Sequence, residues 1–449
     1  MEFKLHPAAI ASINSKAHVI ASKIEKFQPL PSDQREVFPT QRPILSTITD
    51  KDIVGDIVGW LADTQKRQFF AFIRVGDSVF GLPEDAYMLI DDLIDEILKA
   101  NFAQKFLSRD FIHQSILNWI RNTYKPEIVE FFSFLSDFCT ASIKKFTFYA
   151  PISNFEIEEP FDFGGTKIRS LDNEFFIHLE AMLTSHKQKN PEETTKFISK
   201  IRKKMQGYAA IVIEFEAEKG FAFEKGNAIA SEAVGLLRFL SPSSERSFLL
   251  CPVELMGYQP IPEFHFMLLG EDKSFSYTSG VVPKNIGHWQ LPKLHLNLIQ
   301  NNGLPELGHL LSSEKQNDFQ KRLKKSIINY TKGTTFSDLG DRLLYTCSSL
   351  ESLLLKDGSE PIQQNLAERM AFLLSKDANA RRTIVKNVKD IYSMRSRYVH
   401  HRTLQAEEQT IGMFTYYAFT FLKTALKNIY AFNSTNDFIH AIEQIKFGG

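Results

Sequence analysis

The spacing of apolar residues along this chain changes character twice. From about residue 50 to 145 they recur every three or four positions, the period of an amphipathic helix. In DKDIVGDIVGWLADTQ, Ile53, Ile57, Trp60 and Leu61 fall on one face; in DAYMLIDDLIDEILKANF the face is Leu89, Ile90, Leu93, Ile94 and Ile97. DFIHQSILNWIRNTY and PEIVEFFSFLSDFCTASI keep the period, and a further helix is expected over 8–27. Between these segments, QPLPSDQREVFPTQRPIL (28–45) carries four prolines. Each lacks a backbone donor, so the stretch reads as a linker or extended arm.

Near Lys144 the pattern becomes alternating. FTFYAPI, NFEIEE and PFDFGGTKIRSL, with a Gly164-Gly165 turn, predict antiparallel strands. GYAAIVIEFEAE (207–218) adds a strand and runs into a helix at about 224–240; SFLLCPVEL (247–255), PEFHFMLLG (262–270) and FSYTSGVV (275–282) add further strands. Helical spacing returns at about Leu304. KRLKKSIINY (321–330) is basic and amphipathic, and Phe336 to Leu355 forms a stripe of Leu339, Leu343, Leu350 and Leu354, capped by Ser337 or Asp338. Pro361 opens the next helix. Ile384, Val388 and Ile391 mark another, and Glu407 to Asn428 the last, so four helices predict a bundle. The expected class is α+β multidomain: a helical N-terminal region (1–145), an α+β domain (146–303) and an all-α four-helix bundle (304–449).

At 449 residues the chain is long enough for two or three domains. Lys+Arg and Asp+Glu balance at 53 each, so global charge names no partner. Local charge does: from Ser313 to Arg402 there are 17 Lys/Arg against 10 Asp/Glu, a field that favours a phosphate-bearing ligand. The three cysteines, Cys139, Cys251 and Cys347, lie far apart without C-x-x-C spacing, which suits a reducing cytoplasm and predicts neither disulfides nor a zinc site. The N-terminus has no signal-peptide core, and no apolar run is long enough for a membrane span. Walker A, dinucleotide-fold, EF-hand and G-x-S-x-G patterns are absent. His265 and His295 lack Cys or carboxylate partners at ligand spacing and read as ordinary histidines.

The segment that carries chemistry is IYSMRSRYVHHR (391–402). Arg395 and His400 enclose four residues. An imidazole can move a proton near neutral pH, and a guanidinium can hold a phosphate whose charge grows in the transition state. The bare spacing is weak, because 18 arginines and 12 histidines in 449 residues give about half a chance match at any one spacing. Context makes it specific. A helix carrying Leu350-Glu351-x-Leu353-Leu354 precedes one carrying Arg369-x-Ala371-x-Leu373-Leu374, and Tyr392-x-x-Arg395-Ser396-x-x-Val399-His400 follows. In this combination, over roughly residues 310–430, the chain resembles the HEPN family (higher eukaryotes and prokaryotes nucleotide-binding domain), in particular its ApeA-like branch. It departs in ending on His400-His401-Arg402, where that branch carries His-Gly, so either histidine is a candidate.

The resemblance implies a metal-independent endoribonuclease of toxin-like or antiviral defence type that uses no cofactor. The catalytic residues would be Arg395 and His400, supported by Ser396, Tyr392, Glu351 and His401. Arg381, Arg382, Lys386 and Arg397 would guide an RNA such as tRNA or mRNA. It implies a homodimer through the bundle, with residues 1–303 reading a trigger ligand or protein. Two other readings stay open: a HEPN bundle that binds nucleotide or RNA without cutting, and a dimerisation domain. Geometry adds one condition. In an unbroken α-helix a five-residue step leaves Arg395 and His400 about 140° apart. Either the helix ends or loosens between Arg397 and His401, or a second copy completes the site.

Overall fold

The computed structural model describes residues 5–28, 61–62, 65–75, 78–122, 129–185, 191–250, 252–257, 263–269, 275–281, 287–356, 359–401 and 408–447. Its contacts divide the chain into two compact units, residues 1–146 with 214–225, and residues 147–213 with 226–449. The fold is mixed α/β, with antiparallel sheets and a helical C-terminal region. Among the described residues no helix is long and apolar enough to cross a membrane.

In the first unit α1 (Pro7–Ser22) is followed by β1 (Glu25–Lys26), β2 (Leu61–Ala62), β3 (Gln68–Val75) and β4 (Ser78–Pro83), an antiparallel sheet in the order β1-β4-β3-β2. Helices α2 (Glu84–Ile97), α3 (Asn101–Phe106), α4 (Arg109–Asn122) and α5 (Phe131–Ser142) follow, and residues 214–225 return to this unit. Ile90, Leu93, Ile94 and Ile97 of α2 bury against Ile13, Ile116, Trp119 and Leu135, the face that helical spacing predicts. The expectation of helices throughout 50–145 is corrected at 61–83. There QFFAFIRV and SVFGLP flank a Gly-Asp pair and close a hairpin that buries Phe69 and Leu82. β-Aromatic runs this short pair across a turn more readily than they hold a helix. The proline-rich segment and most of DKDIVGDIVGWLADTQ lie outside the described residues.

β5 (Lys144–Ser153) starts in the first unit and runs on into the second, which continues with β6 (Phe155–Ile157), β7 (Phe161–Phe163) and β8 (Thr166–Ser170). Helices α6 (Asn173–Ser185) and α7 (Pro191–Met205), which alternation and stripe reading passed over, lead to β9 (Ala209–Ala217) and α8 (Lys219–Leu237), of which residues 214–225 belong to the first unit. A 3-10 turn, Arg238–Leu240, leads to α9 (Pro242–Glu245), β10 (Glu254–Leu255), the hairpin β11 (Glu263–Leu269) and β12 (Phe275–Val281), and β13 (Trp289–Leu291). The main sheet runs β10-β5-β9-β8-β7, while β13 pairs with β6 in parallel. Gly164 and Gly165 form the β7–β8 turn at φ 54° and 80°. A Cβ on Gly164 would stand 2.6 Å from that of Leu311, so only glycine lets this turn seat where it does.

Among the described residues of the strand expected over 247–255, only Glu254–Leu255 form a strand, with a single bridge at Leu250. The physical reason is Arg342, which is 4% exposed. Its guanidinium donates to the carbonyls of Ser243, Arg246, Ser247 and Leu249, taking acceptors that a sheet would otherwise use. Tyr330, fully buried, donates to the Ser244 carbonyl, and Arg238 joins the Val253 carbonyl to Glu254.

The rest is helical: α10 (Lys293–Gln300), α11 (Leu304–Ser312), α12 (Asp318–Gly333), α13 (Leu339–Leu354), α14 (Ile362–Leu374), α15 (Ala378–His401), α16 (Glu408–Lys427) and α17 (Thr435–Lys446). The four anticipated helices are α13 to α16, with α12 and α17 packed beside them. Asn317 and Gln320 form a capping box on α12, and Asp338, one of the two expected caps, starts α13. The core joins Leu343, Leu350 and Leu354 to Ile384, Val388, Ile391, Phe414 and Phe421, all nearly or fully buried. Buried Arg369 pins α14 to the Leu354 carbonyl, Glu360 and Glu443, so the arginine of the R-x-A-x-LL helix is structural.

Candidate functional site

The 24-residue α15 positions nearly every predicted residue. Its apolar stripe of Ile384, Val388, Ile391 and Tyr392 turns inward, and Arg395 continues that stripe. The Arg395 guanidinium therefore meets Glu351 on α13, with Nη1 3.1 Å from Oε1 and Nη2 3.4 Å from Oε2. The Tyr392 hydroxyl donates to the same carboxylate at 2.8 Å, and the guanidinium carbon lies 5.6 Å from the Tyr392 ring centre. Burial pushes the Tyr392 phenol and the neighbouring Cys347 thiol well above their ordinary ranges, so both stay protonated at neutral pH. The Arg395 side chain keeps 31% exposure, yet its Nε is buried without a hydrogen-bond partner. Glu351, Tyr392 and Arg395 are thus brought together as one polar cluster.

His400 is not part of it. The helix continues unbroken to His401, so the expected end or loosening after Arg397 does not occur and the 140° offset stands. Tyr398 supplies the reason. Its hydroxyl donates to Asp338 (2.7 Å) and Asp341 (3.0 Å), and its ring packs against Gly340, where a Cβ would come within 2.2 Å of it. This clamp holds the last turn of α15 to the start of α13. His400 and His401 are both exposed, with ring centres 6.3 Å apart. Neither Tyr398 nor Gly340 was singled out from sequence; a glycine two residues after a cap, spaced for close approach to an aromatic, is the available signal.

The outward face of α15 carries the charge. The helix holds six Lys/Arg and a single acid, Asp390. Arg382, Lys386, Lys389, Ser393 and Arg397 all lie within about 60° of His400 on a 100°-per-residue wheel, over about 27 Å of helix. Ser396 and Arg397 are exposed at its far end. At its near end Arg382, Lys386 and Lys389 border an open groove of about 570 Å³, which Phe372, Arg381 and Lys446 also line. Arg381 is turned aside to stack 4.2 Å from the Phe372 ring centre, its Nε donating to the Ser375 carbonyl. The predicted RNA-guiding residues thus fall on one stripe except Arg381, which flanks it. Lys389 belongs with them and is legible from the 382/386/389/393 spacing.

The arrangement can hold a run of phosphates along α15 and present an unencumbered imidazole at its end. Within one chain the offset of about 140° turns Arg395 and His400 to different sides of α15. No family model, curated protein or solved structure matches this chain.

Proposed function

We propose that α13 to α16 form a HEPN-like bundle that cuts RNA without a metal. The observation that carries this reading is the cationic stripe of α15 ending in exposed His400, beside an Arg395 fixed by Glu351 and Tyr392. His400 takes the proton from a ribose 2′-OH; the 2′-oxygen bonds to the adjacent phosphorus, and the bond to the 5′-oxygen breaks as that oxygen gains a proton. The ends formed are a 2′,3′-cyclic phosphate and a 5′-OH. A guanidinium holds the non-bridging oxygens as their charge grows. If Arg395 is that group, it must come from a second copy, so this form of the reading requires a homodimer through the bundle. The reading extends to a defence or toxin-like effector held in check by the rest of the chain.

A second reading, RNA binding without cleavage, is favoured by the same Glu351 ion pair, which compensates the Arg395 charge. The test is RNA integrity with full-length protein in chelator. Cleavage lost in His400→Ala supports the nuclease; tight binding by wild type with no cleavage selects the binding module.

A further inference from the structure

We infer that the groove between α14 and α15 is a base-holding subsite for single-stranded RNA: Arg381, backed by Phe372, stacks on one base while Arg382 and Lys386 take the phosphates beside it. The inference rests on the reading of α15 as an RNA path, with or without cleavage. It adds a place where a base, and not only the backbone, is held.

Helical phase builds the groove. Phe372 follows Glu368 by four residues on α14, and Arg381, Val385 and Lys389 succeed one another by four on α15, so each set lies along one side of its helix. The volume of about 570 Å³ falls in the range of small-ligand sites. Ala371, Phe372 and Val385 supply apolar surface, and five Lys/Arg against two acids supply a positive field. One of the five is already matched, because Lys446 pairs with Glu368. The side chains of Arg382 and Lys386 are exposed, with no hydrogen bond or ion pair among the described residues.

Arg381 separates this groove from a plain basic surface. Asp377 caps the turn into α15, accepting from the Ala380 N–H at 2.8 Å, and Arg381 Nε donates to the Ser375 carbonyl at 2.8 Å. The guanidinium carbon lies 4.2 Å from the Phe372 ring centre. One hydrogen bond and one ring thus fix the guanidinium plane, while its Nη groups have no partner among the described residues. A guanidinium plane is a stacking platform for a nucleobase, and one already fixed loses little side-chain freedom when the base arrives. A strand stacked there carries a phosphate on either side of the base, toward Arg382 and Lys386. An acidic peptide would use the cations and leave the plane and the apolar surface idle; a nucleotide uses all three. Arg381 stands about 28 Å along α15 from His400, a span that a stacked strand at about 3.4 Å per nucleotide covers in about eight nucleotides.

The test uses full-length protein carrying His400→Ala, which prevents cutting, and a short uridine strand with one 2-aminopurine. Uracil stacks weakly, so the purine settles the register, and its fluorescence falls when it stacks. Binding should quench it, and replacing that nucleotide with an abasic one should weaken affinity by about 10-fold or more, the scale for losing one stacked base. Arg381→Lys keeps the charge but loses the plane. It should abolish the quench and bind the purine and abasic strands alike, with the salt slope and the thermal melt unchanged. Phe372→Leu keeps the apolar surface but removes the backing ring, and should reduce the quench in the same direction. Arg382→Ala should flatten the salt slope by about 0.7 and keep the quench at saturating RNA. If RNA binds but Arg381→Lys quenches like its parent, or the abasic strand binds as tightly as the purine strand, the inference fails and the RNA path along α15 stands. If neither strand binds at low salt, the RNA reading fails and the inference with it. Adenosine monophosphate that binds through Arg381 but is not displaced by the purine strand would also overturn it, in favour of a separate site for a free nucleotide.

Discussion

Removing charge from the α15 stripe should change how RNA affinity depends on salt, by an amount the structure sets. Arg382, Lys386, Lys389 and Arg397 share the outward face of one helix. If each neutralises one phosphate of a single strand, log K falls with log salt at a slope of about −0.7 per contact, or roughly −2.8 for four. Between 50 and 200 mM salt the affinity then drops about 50-fold. Lys386→Ala with Lys389→Ala removes two contacts, so the slope should flatten to about −1.4 and the same salt step should cost only about 7-fold. The assay is fluorescence anisotropy of a labelled single-stranded RNA, with His400→Ala as background to prevent cutting. Lys196→Ala with Lys200→Ala, which removes two exposed lysines from α7, is the control and should leave the slope unchanged. Equal slopes in the stripe variant and its parent, or equal flattening in the control, would refute the assignment of α15 as the RNA path.

Three further outcomes are expected. Arg342→Met leaves four inward carbonyls without their donor, partly offset by no longer burying a charge; a loss of about 3 kcal/mol and 6–12 °C in Tm follows, and a melt within 2 °C of wild type would contradict it. Hydrogen bonds from Arg369 hold the Glu360 carboxyl below the usual carboxylate range, so its stabilisation is present above the unfolded pKa and lost as pH falls through the folded one. Glu360→Gln should therefore lower the urea midpoint at pH 7 and flatten its decline below about pH 5, whereas a curve parallel to wild type would reject the pairing. Gly340→Ala should drive Tyr398 off α13 and reduce cleavage more than it reduces RNA affinity, and equal losses in both would mean the clamp does not position His400.

Helical stripes such as Leu89 to Ile97 and Leu343 to Leu354 were legible because one buried face writes itself at three- and four-residue spacing. The 68–83 hairpin was not, since its short aromatic strands sit among strong helical patterns. Nor was the shortening of the strand expected from Ser247, because Arg342, about 90 residues away, takes the carbonyls of Ser247 and Leu249, and pairings at that distance leave no local periodicity. At the candidate site the residues themselves and their helix could be named from sequence. Their facing could not: whether α15 breaks after Arg397 depends on Tyr398 finding Asp338, Asp341 and Gly340 across the bundle. The inward turn of Arg395 toward Glu351 followed from the same helical phase that buries Ile391 and Tyr392.

The central claim is tested most directly by incubating full-length protein with a defined RNA in excess EDTA and identifying the ends. The account predicts 2′,3′-cyclic phosphate and 5′-OH termini with wild type, and at least about 10²-fold slower cleavage with His400→Ala. Equal cleavage by the two proteins, or 3′-OH and 5′-phosphate ends, would contradict it.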